Sequence, residues 1–249
     1  MPVQVDPYSK IAPLYDTIMT HVNYKLWAKH IGLIMAMYQM KPRRMIDLSC
    51  GTGSLLSHLV APKRKIFGSD RSLGMIKQAG FKLTKNFAAL CCCDFLKISV
   101  KARSVDVALV LYDSINYIIE EEQVGLFFRE VYDLLDDGGL FIFDVVLPYI
   151  CRKAFANYSE TNVSNGNGYE RKAWYNDPDS MQFNEFRIFD QGNEYCELHT
   201  QKIRSIEEWR DLLKDSPFEN VSIFSNFSMS KVHKKSERAH FVCQKDETL

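Results

Sequence analysis

An apolar run that stops at two closely spaced glycines constrains this chain more than any other stretch. Residues 45–48 read M-I-D-L and lead into S-C-G-T-G at residues 49–53, after which apolar residues return at positions 55, 56, 59 and 60. This pattern predicts a strand, a tight turn and a helix. Gly51 and Gly53 permit positive φ and lack a β-carbon, so a nucleotide or nucleoside can lie directly against the backbone.

The spacing of the glycines narrows the choice of ligand. The dinucleotide fingerprint needs a third glycine three residues after the second, where this chain has Leu56. No Gly-Lys-Ser or Gly-Lys-Thr follows the turn, which excludes a P-loop. The missing third glycine therefore argues against a nicotinamide-dependent oxidoreductase, which remains a weaker alternative.

Carboxylates recur where the next predicted strands end. The run K-I-F-G-S-D at residues 65–70 ends in Asp70, and C-C-C-D-F at residues 91–95 places Asp94 after a third strand. Because the carboxyl ends of parallel strands share one edge of a sheet, we expect Asp47, Asp70 and Asp94 to lie together there. Asp70 is then placed to accept hydrogen bonds from two ribose hydroxyls. Asp94 is placed to accept one from an adenine amino group, between the apolar walls of Met75 and Phe95.

These motifs resemble those of the class I S-adenosylmethionine-dependent methyltransferases, closely over about residues 8–147 and loosely beyond. The resemblance rests on D-L-S-C-G-T-G at 47–53, G-S-D-R-S-L-G-M-I at 68–76, the acid at 94, D-V-A-L-V at 106–110 and L-D-D-G-G-L-F-I at 135–142. It implies S-adenosyl-L-methionine as the cofactor and S-adenosyl-L-homocysteine as the product. Ser49 stands where the family most often carries glycine.

The same resemblance implies which residues contact the cofactor. From the strand ends and turns they are Asp47, Ser49, Cys50, Gly51, Gly53, Asp70, Arg71, Met75, Asp94, Phe95 and Tyr112. In glycine N-methyltransferase and the bacterial amino-sugar N-methyltransferases, a similar Tyr-Asp segment and aromatic helix cover the cofactor as a lid. That similarity adds Tyr15 and Trp27, with Tyr8 and Tyr24 as weaker candidates, because aromatic rings and phenol oxygens attract a sulfonium cation. The alternative role for these aromatic residues is to anchor a helix to the core.

Together with the resemblance, the periodicity predicts an α/β fold: a Rossmann-like, seven-stranded, mostly parallel sheet whose last strand is antiparallel. Residues 1–42 are expected to form an N-terminal helical lid. Residues 43–148 and 206–249 form the cofactor-binding domain, in which Gly138 and Gly139 end a helix before the fifth strand. Residues 149–205 form an inserted antiparallel β-meander of three strands. This meander either walls the substrate pocket or makes a homodimer contact.

The composition limits the partners of the chain. Its 31 basic and 31 acidic residues give a formal net charge of zero, so no overall field attracts nucleic acid or an anionic membrane. No apolar run approaches the ~20 residues that cross a bilayer, and the first ten residues lack the plan of a signal peptide. We therefore expect a cytoplasmic protein whose partner is a small-molecule methyl acceptor.

The seven cysteines do not describe a disulfide framework or a zinc site, because no C-x-x-C pair occurs. Cys91, Cys92 and Cys93 are adjacent, and a strand directs such neighbours to opposite faces, so they cannot converge on one ion. We expect no metal site and interpret the thiols as buried, small apolar side chains.

Methyl transfer from a sulfonium requires chiefly that donor and acceptor be aligned and water excluded, an effect of up to ~7–11 kcal/mol. If the acceptor is an amine or a hydroxyl, a base adds typically ~100- to 10,000-fold. Asp113 and Tyr117, just past the fourth strand, are the best placed polar groups, and His199 on the insertion is a third candidate. Asp113 could instead cap a turn, and His199 could be a packed or solvated histidine. The sequence predicts methylation at nitrogen or oxygen of a small molecule, with a non-catalytic S-adenosylmethionine sensor as the alternative.

Overall fold

A computed structural model describes residues 1–83, 89–98 and 100–247 of the chain. The α-helices are α1 Tyr15–Ile18, α2 Tyr24–Met37, α3 Leu56–Leu59, α4 Leu73–Lys82, α5 Glu121–Leu134, α6 Pro148–Ala154 and α7 Ile206–Lys214. The strands are β1 Val3–Gln4, β2 Arg44–Asp47, β3 Lys65–Asp70, β4 Ala89–Cys92, β5 Val105–Val110, β6 Leu135–Val146, β7 Asn157–Ser164, β8 Asn167–Asn176, β9 Met181–Asp190, β10 Asn193–Lys202, β11 Asn220–Ser225 and β12 Arg238–Gln244. Short 3-10 helices cover Ala12–Leu14, Met19–His21, Phe95–Lys97 and Ser114–Tyr117.

The larger sheet has seven strands in the order β11-β12-β6-β5-β2-β3-β4. Strand β12 runs antiparallel to both of its neighbours, and the other pairs are parallel. The predicted α/β fold with its antiparallel last strand is thus confirmed. The chain moves outward from β2 to β4 and then returns to the other side of β2 as β5. This reversal opens a crevice at the carboxyl ends of β2 and β5, where ligands bind in such sheets.

Helices cover both faces of this sheet, which is why its central strands are almost entirely apolar. Along β6, Phe141 and Phe143 pack with α5 and α7 on one face, and Leu140 and Ile142 pack with α2 on the other. Helix α5 presents apolar residues at helical spacing, among them Val124, Phe128 and Val131, all completely buried. The apolar cores on the two faces of the sheet pack against the strands and so fix the positions of the strand ends.

A second sheet of five strands has the order β1-β10-β9-β8-β7. The prediction of three antiparallel strands in the insertion was incomplete, because β7 is a fourth strand and the N-terminal β1 pairs in parallel with β10. Strand β7 lies at the sheet edge and most of its side chains are exposed, so no apolar alternation marks it in the sequence. Apolar residues of the N-terminal segment, Ile11, Ile18 and Met19, pack against Tyr169 and Phe186 of this sheet. The N-terminal segment therefore bridges the two sheets.

The predicted helix end at Gly138 and Gly139 was wrong for an identifiable reason. Gly138 and Gly139 do not end α5, because that helix ends at Leu134 and β6 begins at once. Gly138 has φ +71°, and the pairing of β5 with β6 shifts register between Val105 and Val107, so the glycines serve an irregularity inside the strand.

The cysteines divide into two groups. Cys50, Cys151, Cys196 and Cys243 are buried, as expected. The expectation was wrong for Cys91 and Cys92, which are exposed, and for Cys93, which is half-buried, because β4 is the edge strand of the larger sheet. None of the described helices is long and apolar enough to span a lipid bilayer.

Candidate functional site

The glycine turn after β2 is bonded directly to the end of β3. The N–H of Cys50 donates to the carbonyl of Ser69 at 2.8 Å, and the N–H of Gly51 donates to Asp70 Oδ2 at 3.0 Å. Ser72 N–H donates to Asp70 Oδ1 at 2.9 Å. Gly51 has φ +54°, and no described atom outside Gly51 and its two chain neighbours lies within 4 Å of the position that a β-carbon would take. Asp70 is thus held beside an open backbone turn, with lone pairs left to accept further hydrogen bonds.

Asp47, the last residue of β2, lies beneath the same turn. Its carboxylate is only 3% exposed and accepts a hydrogen bond from Ser49 N–H at 3.0 Å. Burial and, to a smaller extent, the negative charge of Asp70 raise the pKa of Asp47 to about 7, although the bond from Ser49 opposes this shift. The hydroxyl oxygen of Ser49 is buried and has no hydrogen-bond partner in the part of the chain that the structure describes. Because buried polar groups are normally paired, this edge is suited to a polar ligand.

The raised pKa of Asp47 predicts a pH-dependent stability that Asp47→Asn removes. Between the unfolded pKa of about 3.9 and the native value of about 7, the native state holds a proton that the unfolded chain has released. The free energy of unfolding contributed by this group therefore falls as pH rises through that window, by roughly 1.4 kcal/mol per pH unit. Above the window the loss is complete.

Urea unfolding of both proteins at several pH values between 5 and 8 measures this effect. We expect the stability of Asp47→Asn relative to the wild type to increase with pH and to level off above neutrality. An equal pH slope in the two proteins would mean that Asp47 is ionised throughout this range.

A small cavity of about 80 Å³ lies over the glycine turn. It brings together nine of the predicted cofactor contacts: Tyr15, Trp27, Asp47, Ser49, Cys50, Gly51, Asp70, Met75 and Tyr112. Four others do not line it. Gly53 has φ +75° and packs closely, since a β-carbon there would meet Leu83 Cδ1 at 2.5 Å, and Arg71 is exposed.

Asp94 and Phe95, the other two, line a separate and largely apolar cavity of about 420 Å³. The Asp94 carboxylate accepts a hydrogen bond from Leu96 N–H at 3.0 Å and so caps the short helix Phe95–Lys97. The ring of Phe95 packs against Phe127 with centroids 5.1 Å apart. Asp94 is still linked to the glycine-turn site through the backbone, because the N–H of its neighbour Cys93 donates to the carbonyl of Asp70 at 3.0 Å.

Asp16, which the sequence did not single out, joins the N-terminal segment to the glycine turn. Its Oδ1 accepts from the hydroxyls of Thr52 at 2.6 Å and Ser54 at 3.1 Å, and its Oδ2 lies 2.6 Å from Lys82 Nζ. Burial raises the pKa of Asp16, but the bonds from Lys82 and Thr52 outweigh that effect and lower it. The carboxylate therefore stays ionised and holds the segment down over the turn.

The chain turns sharply at Tyr112 and Asp113, just past β5, in a conformation that favours glycine. Their φ angles are +60° and +53°, and the buried carboxylate of Asp144 on β6 accepts both N–H groups, at 2.6 and 3.1 Å. Arg238 of β12 donates to Asp144 and, at 2.8 Å, to Asp113 Oδ1. Gln201 Nε2 donates to Asp113 Oδ2 at 2.9 Å. Such left-handed conformations persist where surrounding bonds over-determine them, and they often mark functional sites.

A larger cavity of about 330 Å³ adjoins the small one, and the two share Tyr8, Tyr15 and Tyr112 in their walls. All three predicted catalytic candidates, Asp113, Tyr117 and His199, line this larger cavity. The aromatic side chains of the N-terminal segment and the polar face of the second sheet thus enclose one space beside the glycine turn.

A continuous hydrogen-bonded chain runs along the wall of the larger cavity. The hydroxyls of Tyr8 and Tyr117 are 2.7 Å apart, and the Tyr117 hydroxyl lies 2.9 Å from His199 Nδ1. His199 Nε2 lies 3.1 Å from Glu197 Oε2. Glu197 is completely buried and also accepts the N–H groups of Tyr8, Lys10 and Ile11. One carboxylate therefore anchors the N-terminal segment and orients the histidine.

Sequence reasoning missed Glu197, although a signal was available. Along β10, the polar residues Glu197, His199 and Gln201 are buried, whereas Leu198 between them is exposed. Alternation places residues i, i+2 and i+4 on one face of a strand, so three polar residues at that spacing indicate a polar-lined wall. Asp16 and Arg238 carry no comparable local signal.

Comparison with known proteins associates this geometry with one family. Residues 45–139 match the family described as methyltransferase domain. YqeM of Bacillus subtilis (strain 168), named as a methyltransferase, is 24% identical over an alignment of 247 positions that covers 97% of this chain and 98% of that protein.

Two solved structures resemble the chain over nearly its whole length. An S-adenosylmethionine-dependent methyltransferase from Clostridium acetobutylicum has a TM-score of 0.78 and 26% identity, with 96% of this chain and 99% of that one covered. A sugar N-methyltransferase from Streptoalloteichus sp. has a TM-score of 0.74 and 18% identity, with 94% and 93% covered. At 18% identity, the similarity to the second structure shows a shared fold alone.

Proposed function

We propose that this chain, which belongs to the class I S-adenosylmethionine-dependent methyltransferases, transfers a methyl group to nitrogen or oxygen of a small molecule. The family match and the full-length relatives confirm the resemblance recognised at residues 47–53 and set aside the oxidoreductase alternative. One observation carries the proposal. The cavity over the glycine turn and Asp70 opens beside a second cavity of about 330 Å³, and tyrosines form the wall that they share.

The residues around the turn fit the cofactor. Asp70 would accept hydrogen bonds from the ribose hydroxyls, and the open side of Gly51 would let the nucleoside lie on the backbone. The buried carboxylate of Asp47 and the unpartnered hydroxyl of Ser49 suit the charged, polar methionine end. When bound, the cofactor supplies a methyl group on a positively charged sulfur, with a neutral thioether as the leaving group.

Other predicted contacts remain part of the proposal. Tyr15, Trp27 and Tyr112 line the small cavity, where their rings would stabilise a sulfonium. Asp94 and Phe95 would hold the adenine ring. The backbone bond between Cys93 and Asp70 supports this role, because it places Asp94 next in the chain to a residue that contacts the ribose-binding Asp70.

The larger cavity suits a small polar acceptor. Gln182 is 2% exposed, and its Oε1 atom has no partner among the described residues, so a ligand donor would satisfy it. Arg171 lies across the cavity, where it donates to Asn184 Oδ1 at 2.7 Å. The contacts of Asp16 with Thr52, Ser54 and Lys82 would hold the N-terminal segment over the turn, where it would help to align the reacting atoms, the expected main source of rate.

The surroundings of Asp113 support a positioning role rather than that of a base. Its carboxylate is already bonded to Arg238 and Gln201, so groups of the protein itself occupy its oxygens. It would hold the turn that carries Tyr112.

Isothermal titration with S-adenosylmethionine and S-adenosylhomocysteine tests the cofactor assignment. We expect binding of both, and no heat with folded protein would overturn the proposal. Radiolabelled S-adenosylmethionine, offered with a panel of amino sugars, small amines and hydroxylated metabolites, then tests transfer. The panel starts from amino sugars because one structural relative is a sugar N-methyltransferase. Tight cofactor binding without transfer to any compound would favour the sensor alternative.

The roles of the chain segments, the homodimer contact and the cytoplasmic location belong to the same proposal. Residues 1–42 act as the lid, residues 43–148 and 206–249 bind the cofactor, and residues 149–205 contact the acceptor. The open edge of the second sheet at β7 offers the surface for a homodimer, which light scattering after gel filtration would measure. The zero net charge and the seven thiols favour the cytoplasm, with no nucleic-acid or membrane partner.

A further inference from the structure

We propose that Tyr8, Tyr117 and His199 form a relay that removes the proton of the acceptor, with Glu197 as the residue that positions and polarises His199. This inference rests on the proposed methyl transfer and assigns its proton acceptor. The four side chains form an unbroken series of contacts of 2.7, 2.9 and 3.1 Å along the cavity wall.

The direction of the relay follows from the state of Glu197. Burial raises the pKa of this carboxyl, but bonds from His199, Lys10 N–H and Ile11 N–H outweigh burial and lower the pKa. An ionised carboxylate can only accept hydrogen bonds. The Nε2 atom of His199, 3.1 Å from Glu197 Oε2, must therefore carry a hydrogen, and in the neutral ring Nδ1 is left as the acceptor.

The two tyrosines then have one consistent orientation. Since Nδ1 of His199 accepts, the Tyr117 hydroxyl donates to it, and the Tyr117 oxygen accepts from the Tyr8 hydroxyl. The Tyr8 oxygen keeps its lone pairs for a group in the cavity, and Tyr8 is one of the residues that line both cavities. Burial raises the pKa of Tyr8 and of Tyr117. Both phenols are thus neutral and pass a proton on rather than act as phenolates.

The proton balance of the step is complete within these groups. The N–H or O–H bond of the acceptor breaks and its proton joins the Tyr8 oxygen, while the Tyr8 proton passes to Tyr117 and the Tyr117 proton to His199 Nδ1. The freed electron pair of the acceptor forms the new bond to the methyl carbon, and the pair of the broken carbon–sulfur bond stays on sulfur. His199 ends as an imidazolium beside the Glu197 carboxylate, an arrangement that stabilises the charged ring.

The titratable His21 also lines the cavity, and its Nδ1 lies 3.1 Å from the carbonyl oxygen of Ile18. The other charged groups in the wall are matched with each other. Asp113 pairs with Arg238 at 2.8 Å, and Arg171 faces Glu160 at 3.8 Å. On β9, the residue opposite His199 is the neutral Asn184. Glu197 is therefore the charged group in direct contact with the ring, and its carboxylate would stabilise the imidazolium formed when His199 takes up the proton.

The relay is coupled to closure of the N-terminal segment. Glu197 accepts the N–H groups of Tyr8, Lys10 and Ile11 at 2.7, 2.6 and 3.0 Å. The carboxylate that orients His199 therefore also docks Tyr8, the first member of the relay. The proton path exists only when this segment is seated, so acceptor activation and exclusion of water occur in the same closed state.

Nitrogen-15 NMR of the His199 ring, in protein saturated with S-adenosylhomocysteine, tests the arrangement without an acceptor. We expect the neutral ring to be the Nε2–H tautomer, and Tyr117→Phe to change the Nδ1 resonance through loss of its hydrogen bond. Glu197→Gln should weaken the preference for the Nε2–H tautomer, because a neutral amide can also donate a hydrogen bond to Nε2. If that variant does not fold, the wild-type and Tyr117→Phe spectra decide. An Nδ1–H tautomer, or a Nδ1 resonance that Tyr117→Phe leaves in place, overturns the relay.

Kinetics with an acceptor from the panel provide the second test. We expect Tyr8→Phe to lower kcat by ~100-fold or more and to change the pH profile of kcat, because the proton of the acceptor then no longer passes to His199. Tyr158→Phe removes a hydroxyl from the same cavity but outside the relay, and should keep the shape of the pH profile. S-adenosylhomocysteine should bind Tyr8→Phe and the wild type, which separates failure of the relay from failure of the proposed function. An unchanged pH profile in Tyr8→Phe overturns the relay.

Discussion

Asp70→Ala is expected to weaken S-adenosylhomocysteine binding by ~100-fold or more, through loss of two hydrogen bonds to an ionised carboxylate worth ~1.5–3 kcal/mol each. The melting temperature of the unliganded protein should change little. The substitution removes the bonds to the N–H groups of Gly51 and Ser72. It also removes a buried charge whose pKa is raised by burial, and the two effects offset each other.

Isothermal titration of Asp70→Ala, with thermal unfolding of the same samples, measures both quantities. Asp211→Ala is the control, because that carboxylate is 69% exposed on α7 and is expected to leave affinity and melting temperature as they are. Unaltered affinity in Asp70→Ala would reject the ribose assignment. A large fall in melting temperature would show instead that Asp70 mainly holds the glycine turn.

Arg238→Met is expected to cost about 3–5 kcal/mol of unfolding free energy, the usual effect of removing one partner from a buried ion pair. Arg238 bonds both Asp113 and Asp144, and Asp144 is completely buried. Its guanidinium also lies over the rings of Trp27 and Tyr112, 5.3 and 5.2 Å from their centroids. Without it, a partly exposed and a completely buried carboxylate share a site and lose the cation that bonds both.

The cost should depend on pH in a defined direction. Burial raises the pKa of Asp144 to about 6 even though Arg238 opposes the shift, so loss of Arg238 raises this pKa further. The native variant then holds a proton that the unfolded chain releases, and its stability falls as pH rises above the unfolded value. Arg238→Met should therefore be less destabilised at pH 5 than at pH 8.

Urea unfolding at both pH values tests this account. Adding Asp144→Asn to Arg238→Met should recover part of the lost stability at pH 8, because one uncompensated charge disappears. Arg210→Met, at an exposed position of α7, controls for loss of an arginine. A double variant no more stable than Arg238→Met would show that the lost packing over Trp27 and Tyr112, rather than charge, sets the cost.

The features that the sequence identified are those encoded by neighbouring residues. A strand followed by glycines has few conformations open to it, so the turn at Gly51 and the strand-end positions of Asp47 and Asp70 followed from local pattern alone. The same holds for α5, whose apolar spacing marks its buried face. Local pattern failed at Gly138 and Gly139, because a glycine pair suits both a helix end and a strand irregularity, and only the pairing of β6 with β5 distinguishes them.

The site beside the turn depends on contacts between residues far apart in the chain. Tyr8 meets Tyr117 across 109 positions, and Glu197 bonds the N–H of Tyr8 across 189. Short-range propensities carry no information about such pairs, since strand order and the docking of the second sheet bring them together. The glycine turn, the strand-end positions of Asp47 and Asp70 and the family resemblance could therefore be predicted from the sequence alone. The hydrogen-bonded relay and the Arg238 ion pairs arise only from packing, because buried polar groups must find partners wherever the fold places them.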